Sequence, residues 1–470
     1  MRGPLLRPPL PSPRDAGELV VLIRPGPGVY FPGPDGGMVG FDADLLRLFG
    51  KEQKLHVRFV IADAPADIVA RIADGDAHIG SGGLYLPRPV AAKAAAATPA
   101  NAPPLSSAPD NDPAAVLWTR GYRAVELLLI CNRDGYRPAS WRDLDGATVA
   151  YVDGTGLGPE IAAVRGAHPG VEFRALELAS ATGLIAQVSD GTIDYAIVGS
   201  LAAAAVRTVY LDYEVAFPLG VKREIAWAVS PRFAQLRDDL DRFLARVQRD
   251  GTIKRLVERY LPDAGQFQRI DAGALQQDIR TELPQWVALF HDAQEKTGVE
   301  WRLLAAVAYQ ESKWDPFATS ETGVRGLMQI TEDTAKHLGI RDRMDPGGSV
   351  LGAARYLRDL KAKLPARIQE PDRTWLALAS FNIGVAHLED ARVLAQKQKL
   401  NPDLWSDVKR VLPLLALPEF YAEAKYGYAR GGMPVAFVDR VRGYYDILLA
   451  HQPPLAPRLR MASDAEPAMK

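Results

Sequence analysis

The spacing of apolar residues changes once along the chain, at about residue 262, and this change limits the fold more than any other feature of the sequence. Before it, compact apolar runs such as residues 19–23, 57–61 and 148–152 alternate with stretches of helical spacing. After it, such runs disappear and helical spacing continues to about residue 449. Because alternating strands and helices favour a parallel sheet, the sequence predicts a multidomain chain, first α/β and then mainly α.

The α/β half contains a repeated local pattern. Residues 73–78 and 189–194 each end a helix, turn at an Asp-Gly pair and enter a strand. Only two copies exist, so the pattern predicts two α/β lobes rather than a solenoid. The predicted boundaries are a disordered, Pro-rich N-terminus over 1–17, the two lobes over 18–262, a flexible Ala- and Pro-rich insertion at about 91–113, a linker over 263–271, a helical domain over 272–450 and a disordered tail over 451–470.

Composition excludes several classes of function. The chain has 56 Lys and Arg residues against 57 Asp and Glu residues, so no basic excess suggests nucleic acid as a partner. Cys131 is the only cysteine, which leaves no intramolecular disulfide. Because His291, His337 and His387 have no metal-ligand spacing, we expect neither a metal nor a cofactor.

One predicted helix carries a carboxyl group into an apolar neighbourhood. Residues 301–309 are strongly apolar, and Leu304, Ala308 and Glu311 follow at i, i+4 and i+7, which places them on one helix face. Burial disfavours the carboxylate anion, and so does the negative end of the helix dipole. The sequence therefore predicts a raised pKa for Glu311, which a general acid needs near neutral pH. For Glu311 taken alone, the alternative is a solvated surface residue paired with a Lys or Arg.

Four ordered motifs accompany this helix. They are Glu311-Ser312 with Ser320 nine residues after the Glu, Gly-Val-Arg-Gly-Leu-Met-Gln at 323–329, Ser-Phe-Asn-Ile-Gly at 380–384, and a terminal helix with Tyr444. The set resembles the soluble lytic transglycosylase domain, which has a lysozyme-like, mainly α-helical fold. The resemblance implies that protonated Glu311 cleaves the β-1,4 bond between N-acetylmuramic acid and N-acetylglucosamine of peptidoglycan. It also implies that the resulting carboxylate takes the proton of the muramic acid C6 hydroxyl, which closes a 1,6-anhydro ring.

The resemblance further implies which residues contact the substrate: Ser320, Met328, Gln329, Phe381, Asn382 and Tyr444. Packing is the alternative role for Met328 and Gln329, and capping of a turn is the alternative for Asn382. The family has Tyr where this chain has Phe381, so one hydroxyl is missing beside the catalytic site. Loss of one hydrogen bond in such a site lowers a rate by on the order of tenfold to a thousandfold, which predicts weakened catalysis.

Residues 18–262 resemble the periplasmic solute-binding domains of the amino-acid type. The resemblance rests on Gly-Phe-Asp-Ala-Asp-Leu at 40–45 and on the two helix, turn and strand units. It implies a small ligand or muropeptide between the lobes, with Arg88 and Thr155 holding a carboxylate. Ser200 stands where the family has an Asp for the ammonium group, and a neutral hydroxyl offers no charge to an ammonium. The alternatives are a solvated surface Arg88 and a plain tight turn at Thr155.

The two resemblances together narrow the likeness to transglycosylases that carry a solute-binding domain ahead of the catalytic one. Two other functions stay open: a cell-wall sensor that grips glycan without cutting it, with which Phe381 is consistent, and a lysozyme-type hydrolase. A hydrolase needs a second carboxylate at a set separation from Glu311. Asp315 and Glu321 are the candidates, but Asp315-Pro316 is typical of a turn and Glu321 of a solvated loop.

The N-terminus and the implied substrate point to different locations. Residues 1–17 carry positive charge but no apolar core, so they predict no signal peptide, and no stretch of the sequence is long and apolar enough to span a bilayer. Peptidoglycan lies in the envelope, and the resemblance implies a periplasmic protein associated peripherally with the outer membrane. We therefore expect a true start upstream of Met1, or a truncated sequence. The alternative is a cytoplasmic protein, which would meet no intact peptidoglycan.

Overall fold

A computed structural model of the chain describes residues 10–88, 115–207, 209–260, 271–320 and 323–455, apart from the side chain of His337. The described residues form two compact units, one of residues 10–33 and 37–260 and one of residues 271–455. The first unit alternates strands with helices and the second is mainly helical, so the predicted fold class is confirmed. The predicted insertion at 91–113 and nearly all of the linker at 263–271 lie outside the described residues.

The first unit contains two sheets and a short hairpin. Its strands are β1 (Glu18–Ile23), β2 (Phe31–Pro32), β3 (Met38–Val39), β4 (His56–Ile61), β5 (Ile79–Ser81), β6 (Leu117–Trp118), β7 (Arg123–Asn132), β8 (Thr148–Val152), β9 (Glu172–Leu176), β10 (Tyr195–Gly199), β11 (Tyr213–Ile225) and β12 (Ala228–Val229). Its helices are Pro13–Ala16, Phe41–Gln53, Pro65–Asp74, Gly158–Ala167, Ala181–Ser189, Ser200–Val206, Ala234–Arg249 and Thr252–Tyr260, with 3-10 turns at Trp141–Leu144 and Pro231–Phe233.

The first lobe is built on a sheet of order β4-β1-β5-β12-β6. Strand β1 pairs in parallel with β4 and β5, and β12 pairs antiparallel with β5 and β6. Side chains of β1 alternate between two cores: Leu19 and Val21 pack on the side of helix Phe41–Gln53, and Val20 and Leu22 on the side of helix Pro65–Asp74. Burial of both faces explains why β1 is an unbroken apolar run.

The second lobe is built on a sheet of order β11-β7-β10-β8-β9. Strand β8 pairs in parallel with β9 and β10, whereas β7 pairs antiparallel with β10 and β11. The chain then returns through β12, and helices Ala234–Arg249 and Thr252–Tyr260 join the core of the first lobe. Both sheets are therefore mixed rather than parallel throughout, because β12 in the first sheet and β7 in the second run against the other strands.

The N-terminal segment corrects one prediction. Residues 1–17 were expected to be disordered, but Pro13–Ala16 form a helical turn with a buried Pro13. Ser12 caps this turn by accepting a hydrogen bond from the Asp15 amide, and proline is well suited to a first helical position. The carbonyl of Pro11 lies 2.9 Å from Nε2 of the buried His78. These local caps order residues 10–17 despite their Pro-rich composition.

The second unit is an assembly of helices. They are Ala272–Thr281, Val287–Thr297, Trp301–Ser312, Glu332–Leu338, Pro346–Lys363, Asp372–Ile383, Val385–Lys397, Trp405–Val411, Pro418–Tyr421 and Gly432–His451, with 3-10 turns at Leu283–Gln285 and Leu412–Ala416. The last helix packs against Trp301–Ser312 and Asp372–Ile383 and ends one residue past the predicted boundary at 450. Over the described ranges, no helix combines the length and apolarity needed to cross a bilayer.

Candidate active site

Helix Trp301–Ser312 is held firmly at both ends. At its start, Glu300 accepts a hydrogen bond from the Leu303 amide (3.1 Å) and forms a buried ion pair with Arg302 (2.8 Å). At its end, Lys313 and Trp314 both adopt left-handed backbone conformations, with φ of 57° and 63°. The Trp314 indole then donates to the Ala305 carbonyl (2.8 Å), so the chain folds back onto the helix. The residue between these anchors that carries a carboxyl group is Glu311.

Glu311 lies in the last turn of this helix and is half-buried. Residues Trp301 to Tyr309 of the same helix are all buried, so the carboxyl group meets an apolar neighbourhood. Desolvation by burial raises the pKa of Glu311 to about 8, which keeps the carboxyl protonated at neutral pH. Among the described residues, no side chain forms an ion pair with it. A protonated, accessible carboxyl group without a countercharge has the properties of a general acid.

A loop follows the helix end that carries Glu311. The Ser312 hydroxyl donates to the Leu327 carbonyl (2.8 Å) and thereby ties the helix end to the loop. The Gln329 side-chain amide donates to the carbonyls of Ala318 and Gly326, both at 2.9 Å. Gly326 has φ +80°, and a Cβ there would lie 2.1 Å from the Arg343 carbonyl oxygen, so only glycine fits. The glycine-containing motif is therefore a tightly packed loop that is tied to the helix end carrying Glu311.

The structure places the other predicted site residues in different environments. Met328 is 1% exposed, and the Ser320 hydroxyl accepts a hydrogen bond from the Val324 amide (3.3 Å). Phe381 is half-buried between Tyr356 and Phe437, with ring centroids 5.5 Å and 6.3 Å away.

Asn382 is exposed, whereas Tyr444 is 3% exposed and accepts a hydrogen bond from the Lys313 ammonium group (2.9 Å). The loop is thus bonded to the Glu311 turn through Ser312, and Tyr444 is bonded to it through Lys313.

A polar chain behind the helix end was not predicted from the sequence. Besides Tyr444, the Lys313 ammonium group lies 4.0 Å from the centroid of the Tyr309 ring, and the Tyr309 hydroxyl donates to Asp278 (2.7 Å). These contacts hold the residue two positions after Glu311. The i, i+4 spacing of Tyr309 and Lys313 was the available signal, but Asp278 is distant in sequence and gave none.

The cleft between the lobes of the first unit has a different lining from the predicted one. Thr155 lines it, although its hydroxyl donates to the Val152 carbonyl (2.8 Å). Arg88 is exposed, donates to the Lys222 carbonyl (2.5 Å) and lies 3.6 Å from a Glu160 carboxylate oxygen. The Ser200 hydroxyl accepts from the Glu126 amide (3.3 Å) and faces a different hollow. Arg88 and Ser200 are therefore not among the described residues of the cleft, because Glu160 and the β7 backbone engage them elsewhere.

Four polar residues that were not among the predicted ligand contacts line this cleft: Arg24, Asp42, Tyr122 and Arg123. They come from the end of β1, the start of helix Phe41–Gln53 and the crossing into β7. Neither unit offers, within its described residues, a group of three His, Cys, Asp or Glu side chains arranged as metal ligands.

Comparison with known proteins gave matches to both units. Residues 19–263 match the model of bacterial extracellular solute-binding proteins, family 3, and residues 288–404 match the transglycosylase SLT domain. The chain is similar to membrane-bound lytic murein transglycosylase F of Methylobacillus flagellatus, at 36% identity over 97% of this chain and 93% of that protein. It is also similar to the Thiobacillus denitrificans protein of that name, at 37% identity over 96% of this chain and 92% of the relative.

Among solved structures, an ancestral arginine-binding protein bound to arginine aligns with a TM-score of 0.42 and 17% identity, over 52% of this chain and 98% of that one.

Proposed function

This chain belongs to the membrane-bound lytic murein transglycosylase F family, and from that premise we propose that Glu311 is the acid and base of its reaction. The protein is a lytic transglycosylase of peptidoglycan, or murein, with a family 3 solute-binding domain ahead of the catalytic one. The residue assignment rests on the half-buried carboxyl group at the end of an apolar helix, which has no ion-pair partner among the described residues and has its pKa raised to about 8.

One carboxyl group can perform both halves of this reaction. Glu311 first gives its proton to the glycosidic oxygen, and the bond from C1 of N-acetylmuramic acid to that oxygen breaks. The Glu311 carboxylate then takes the proton of the C6 hydroxyl of the same sugar, whose oxygen bonds to C1 and closes the 1,6-anhydro ring. Glu311 ends protonated as it began, and no water is consumed. A group with a pKa near the working pH is suited to both transfers.

The residues around Glu311 divide into two roles in this proposal. Ser312, Met328, Gln329 and Tyr444 hold the turn and the loop, because their polar atoms already bond inside the protein or their side chains are buried. The exposed Asn382, the half-buried Phe381 and the loop residue Ser320 remain the candidates for substrate contact. In this proposal, murein strands contact these three residues, whereas the residues that hold the turn keep it rigid and do not bind murein.

The contacts of Asp315 favour a lyase over a hydrolase. Its carboxylate accepts a hydrogen bond from the Phe317 amide (2.8 Å) in the turn that the sequence predicted. An inverting or retaining hydrolase would need this group, or another carboxylate, free to act opposite Glu311. Glu321, the other candidate, lies outside the described residues.

We place this reaction in the periplasm, at the periphery of the outer membrane. Peptidoglycan is found there, and the printed name of the relatives, membrane-bound lytic murein transglycosylase F, supports an association with a membrane. The first unit would bind a small ligand in its cleft. Nucleic acid has no part in the proposal, since the net charge is -1.

Digestion of purified murein tests the assignment of Glu311. The full-length chain should release muropeptides whose masses are one water lower than those of hydrolysis products. Glu311→Gln should release none while its circular dichroism spectrum stays unchanged, because an amide neither donates nor accepts the required proton. Asp315→Asn is the matched control and should keep its activity, since an amide oxygen can still accept from Phe317. Release by Glu311→Gln at the wild-type rate would remove Glu311 from the mechanism.

A further inference from the structure

The Lys313 ammonium group lies against two tyrosine rings of the second unit. It is 4.0 Å from the centroid of the Tyr309 ring and 4.7 Å from that of the Tyr444 ring, and it donates to the Tyr444 hydroxyl (2.9 Å). The two rings meet edge to face, with centroids 4.9 Å apart and planes at 83°. The faces of aromatic rings attract a cation, and the hydrogen bond fixes its position. We call Tyr309 and Tyr444 the tyrosine clamp.

Both tyrosines of the clamp are buried, and each hydroxyl has a partner. Tyr309 is 1% exposed and donates to Asp278 of helix Ala272–Thr281 (2.7 Å), while Tyr444 is 3% exposed and accepts from Lys313. Desolvation by burial, and then the hydrogen bond to Asp278, raise the pKa of Tyr309, so it stays a neutral donor. Because a buried hydroxyl without a partner is unfavourable, the clamp depends on Asp278 and Lys313.

Lys313 is the nearest cation to Glu311 along the chain. Residues two apart are separated by at most about 7 Å, a distance that two flexible side chains can span. Within the described ranges the two nevertheless form no ion pair, and desolvation is the one resolved cause of the raised pKa of Glu311. The ammonium group in the clamp therefore does not act as a countercharge to Glu311.

Carboxyl groups surround the clamp without pairing with Lys313. Asp271 and Asp278 act on Tyr309 from behind, and Glu282 and Asp315 line the same hollow as Lys313. The contacts of the ammonium group among the described residues are with the two tyrosines instead. Charge attraction alone therefore does not position Lys313, and the clamp does.

We propose that the tyrosine clamp keeps the Lys313 ammonium group from pairing with Glu311, which makes Tyr309, Tyr444 and Asp278 positioning residues for cleavage. An ammonium group paired with Glu311 would stabilise the carboxylate and leave less of the acid for the first proton transfer. The inference rests on the proposed role of Glu311 and adds residues that act on it through Lys313.

The pH profile of kcat/KM tests the clamp, measured on the full-length chain with soluble murein strands between about pH 5 and pH 10. Cleavage by the wild type should fall above about pH 8. Tyr444→Phe keeps the ring but frees the ammonium group, so its fall should begin at least about 0.5 pH unit lower. Tyr136→Phe makes the same chemical change at a ring that is 64% exposed in the first unit, and should keep the wild-type profile.

A double variant separates the charge of Lys313 from the shape of the site. Tyr444→Phe combined with Lys313→Met has no ammonium group to release, so the fall in kcat/KM should return to its wild-type pH. A merely structural role of Tyr444 would not be reversed in this way. The pH of the fall does not depend on how much of a preparation is folded. A wild-type profile in Tyr444→Phe, or a fall that stays shifted in the double variant, would overturn the proposal.

Two substitutions of Asp278 test the far end of the clamp. Asp278→Leu leaves the Tyr309 hydroxyl without its acceptor and should shift the fall to lower pH, whereas Asp278→Asn keeps an acceptor oxygen and the wild-type profile. Identical profiles of the two variants would reject Asp278 as a positioning residue. Failure of the clamp is distinguishable from failure of the function: Glu311→Gln would still be inactive in the first case and would cleave murein in the second.

Discussion

At the residue scale, the protonation of Glu311 is set by its surroundings rather than by a partner. Desolvation alone raises its pKa, and the nearest cation along the chain, the Lys313 ammonium group, is directed to Tyr444 instead. Lys313 has a left-handed backbone conformation at the end of the helix, and its ammonium group also lies 4.0 Å from the centroid of the Tyr309 ring. A positive charge beside Glu311 would stabilise the carboxylate and lower its pKa. The contacts of Lys313 with Tyr444 and Tyr309 therefore help to keep the pKa of Glu311 high.

The raised pKa predicts how both cleavage and stability depend on pH. Cleavage should be near its maximum below pH 7 and fall about tenfold per pH unit above pH 8, as the acid loses its proton. The folded pKa is above the unfolded value of 4.5, so the contribution of Glu311 to stability is complete below pH 4.5 and is lost as the pH rises through 8.

Glu311→Gln removes this titration. The free energy of unfolding of the variant minus that of the wild type should therefore be about 1–3 kcal/mol more positive at pH 8.5 than at pH 4.5. Urea melts of the two proteins at both pH values measure the difference. A constant difference would show that the carboxyl group titrates normally.

Phe381→Tyr should keep cleavage at the wild-type rate or increase it by up to about tenfold. The half-buried ring lies between Tyr356 and Phe437, and its partial exposure leaves room for a hydroxyl. Murein turnover at saturating substrate is the measurement. Phe317→Tyr makes the same chemical change at a ring that is 75% exposed and should have no effect. A large loss in a folded Phe381→Tyr protein would mean that the pocket is built around phenylalanine.

At the element scale, helix Trp301–Ser312 depends on a buried ion pair at its start. Glu300 is 4% exposed and Arg302 is 3% exposed, and the Arg302 guanidinium group also donates to the Gln452 carbonyl (3.0 Å) just after the last helix. The cap therefore fixes the catalytic helix against the C-terminal end of the unit. Removing one partner leaves a buried charge unpaired.

Glu300→Ala should lower the free energy of unfolding of the second unit by about 3–5 kcal/mol, since it removes a helix cap and strands Arg302. Thermal melts followed by circular dichroism measure the loss. Asp292→Asn, which breaks the exposed i, i+4 pair with Lys296, should change the stability by less than about 0.5 kcal/mol. Similar losses of stability in the two variants would show that the buried ion pair stabilises the unit no more than the exposed pair does.

Elements were more predictable than the contacts between them. The apolar spacing of residues 301–309 sufficed to place Glu311 on a buried helix face, because periodicity is a local property. The conformations of Lys313 and Trp314 were not predictable, because tertiary contacts to Tyr444 and Ala305 hold them in an unfavourable backbone region. The lining of the predicted cleft between the lobes was not predictable for a similar reason: it combines residues that are about a hundred positions apart in sequence.

At the scale of the whole molecule, the two units have the features of independent domains. Each has its own core, and the change from mixed sheets to helices falls in the interval between residues 260 and 271. The core of the first lobe is completed by residues of helix Thr252–Tyr260, so nothing after Tyr260 is needed to close it. The described helices of the second unit likewise bury their own apolar faces.

A fragment of residues 268–470 should therefore keep its helical circular dichroism signal and cleave murein at a measurable rate. The matched fragment of residues 1–262 should fold without cleaving. Cooperative thermal unfolding of each fragment, compared with the full chain, is the measurement. If the isolated fragment of residues 268–470 does not fold, the boundary is misplaced or the two units share a core.

The connection between the lobes has a mechanical consequence. The chain enters the first unit through β1 and leaves it through Thr252–Tyr260, and both belong to the first lobe. Two crossings side by side reach the second lobe, where the Tyr122 amide donates to the Ile225 carbonyl (3.0 Å) and the Thr119 amide to the Trp227 carbonyl (3.0 Å). The second lobe is thus joined to the first by a two-stranded hinge, and the first lobe is attached to the rest of the chain. Movement of the second lobe about these crossings therefore leaves β1 and helix Thr252–Tyr260 in place relative to each other, because both belong to the first lobe.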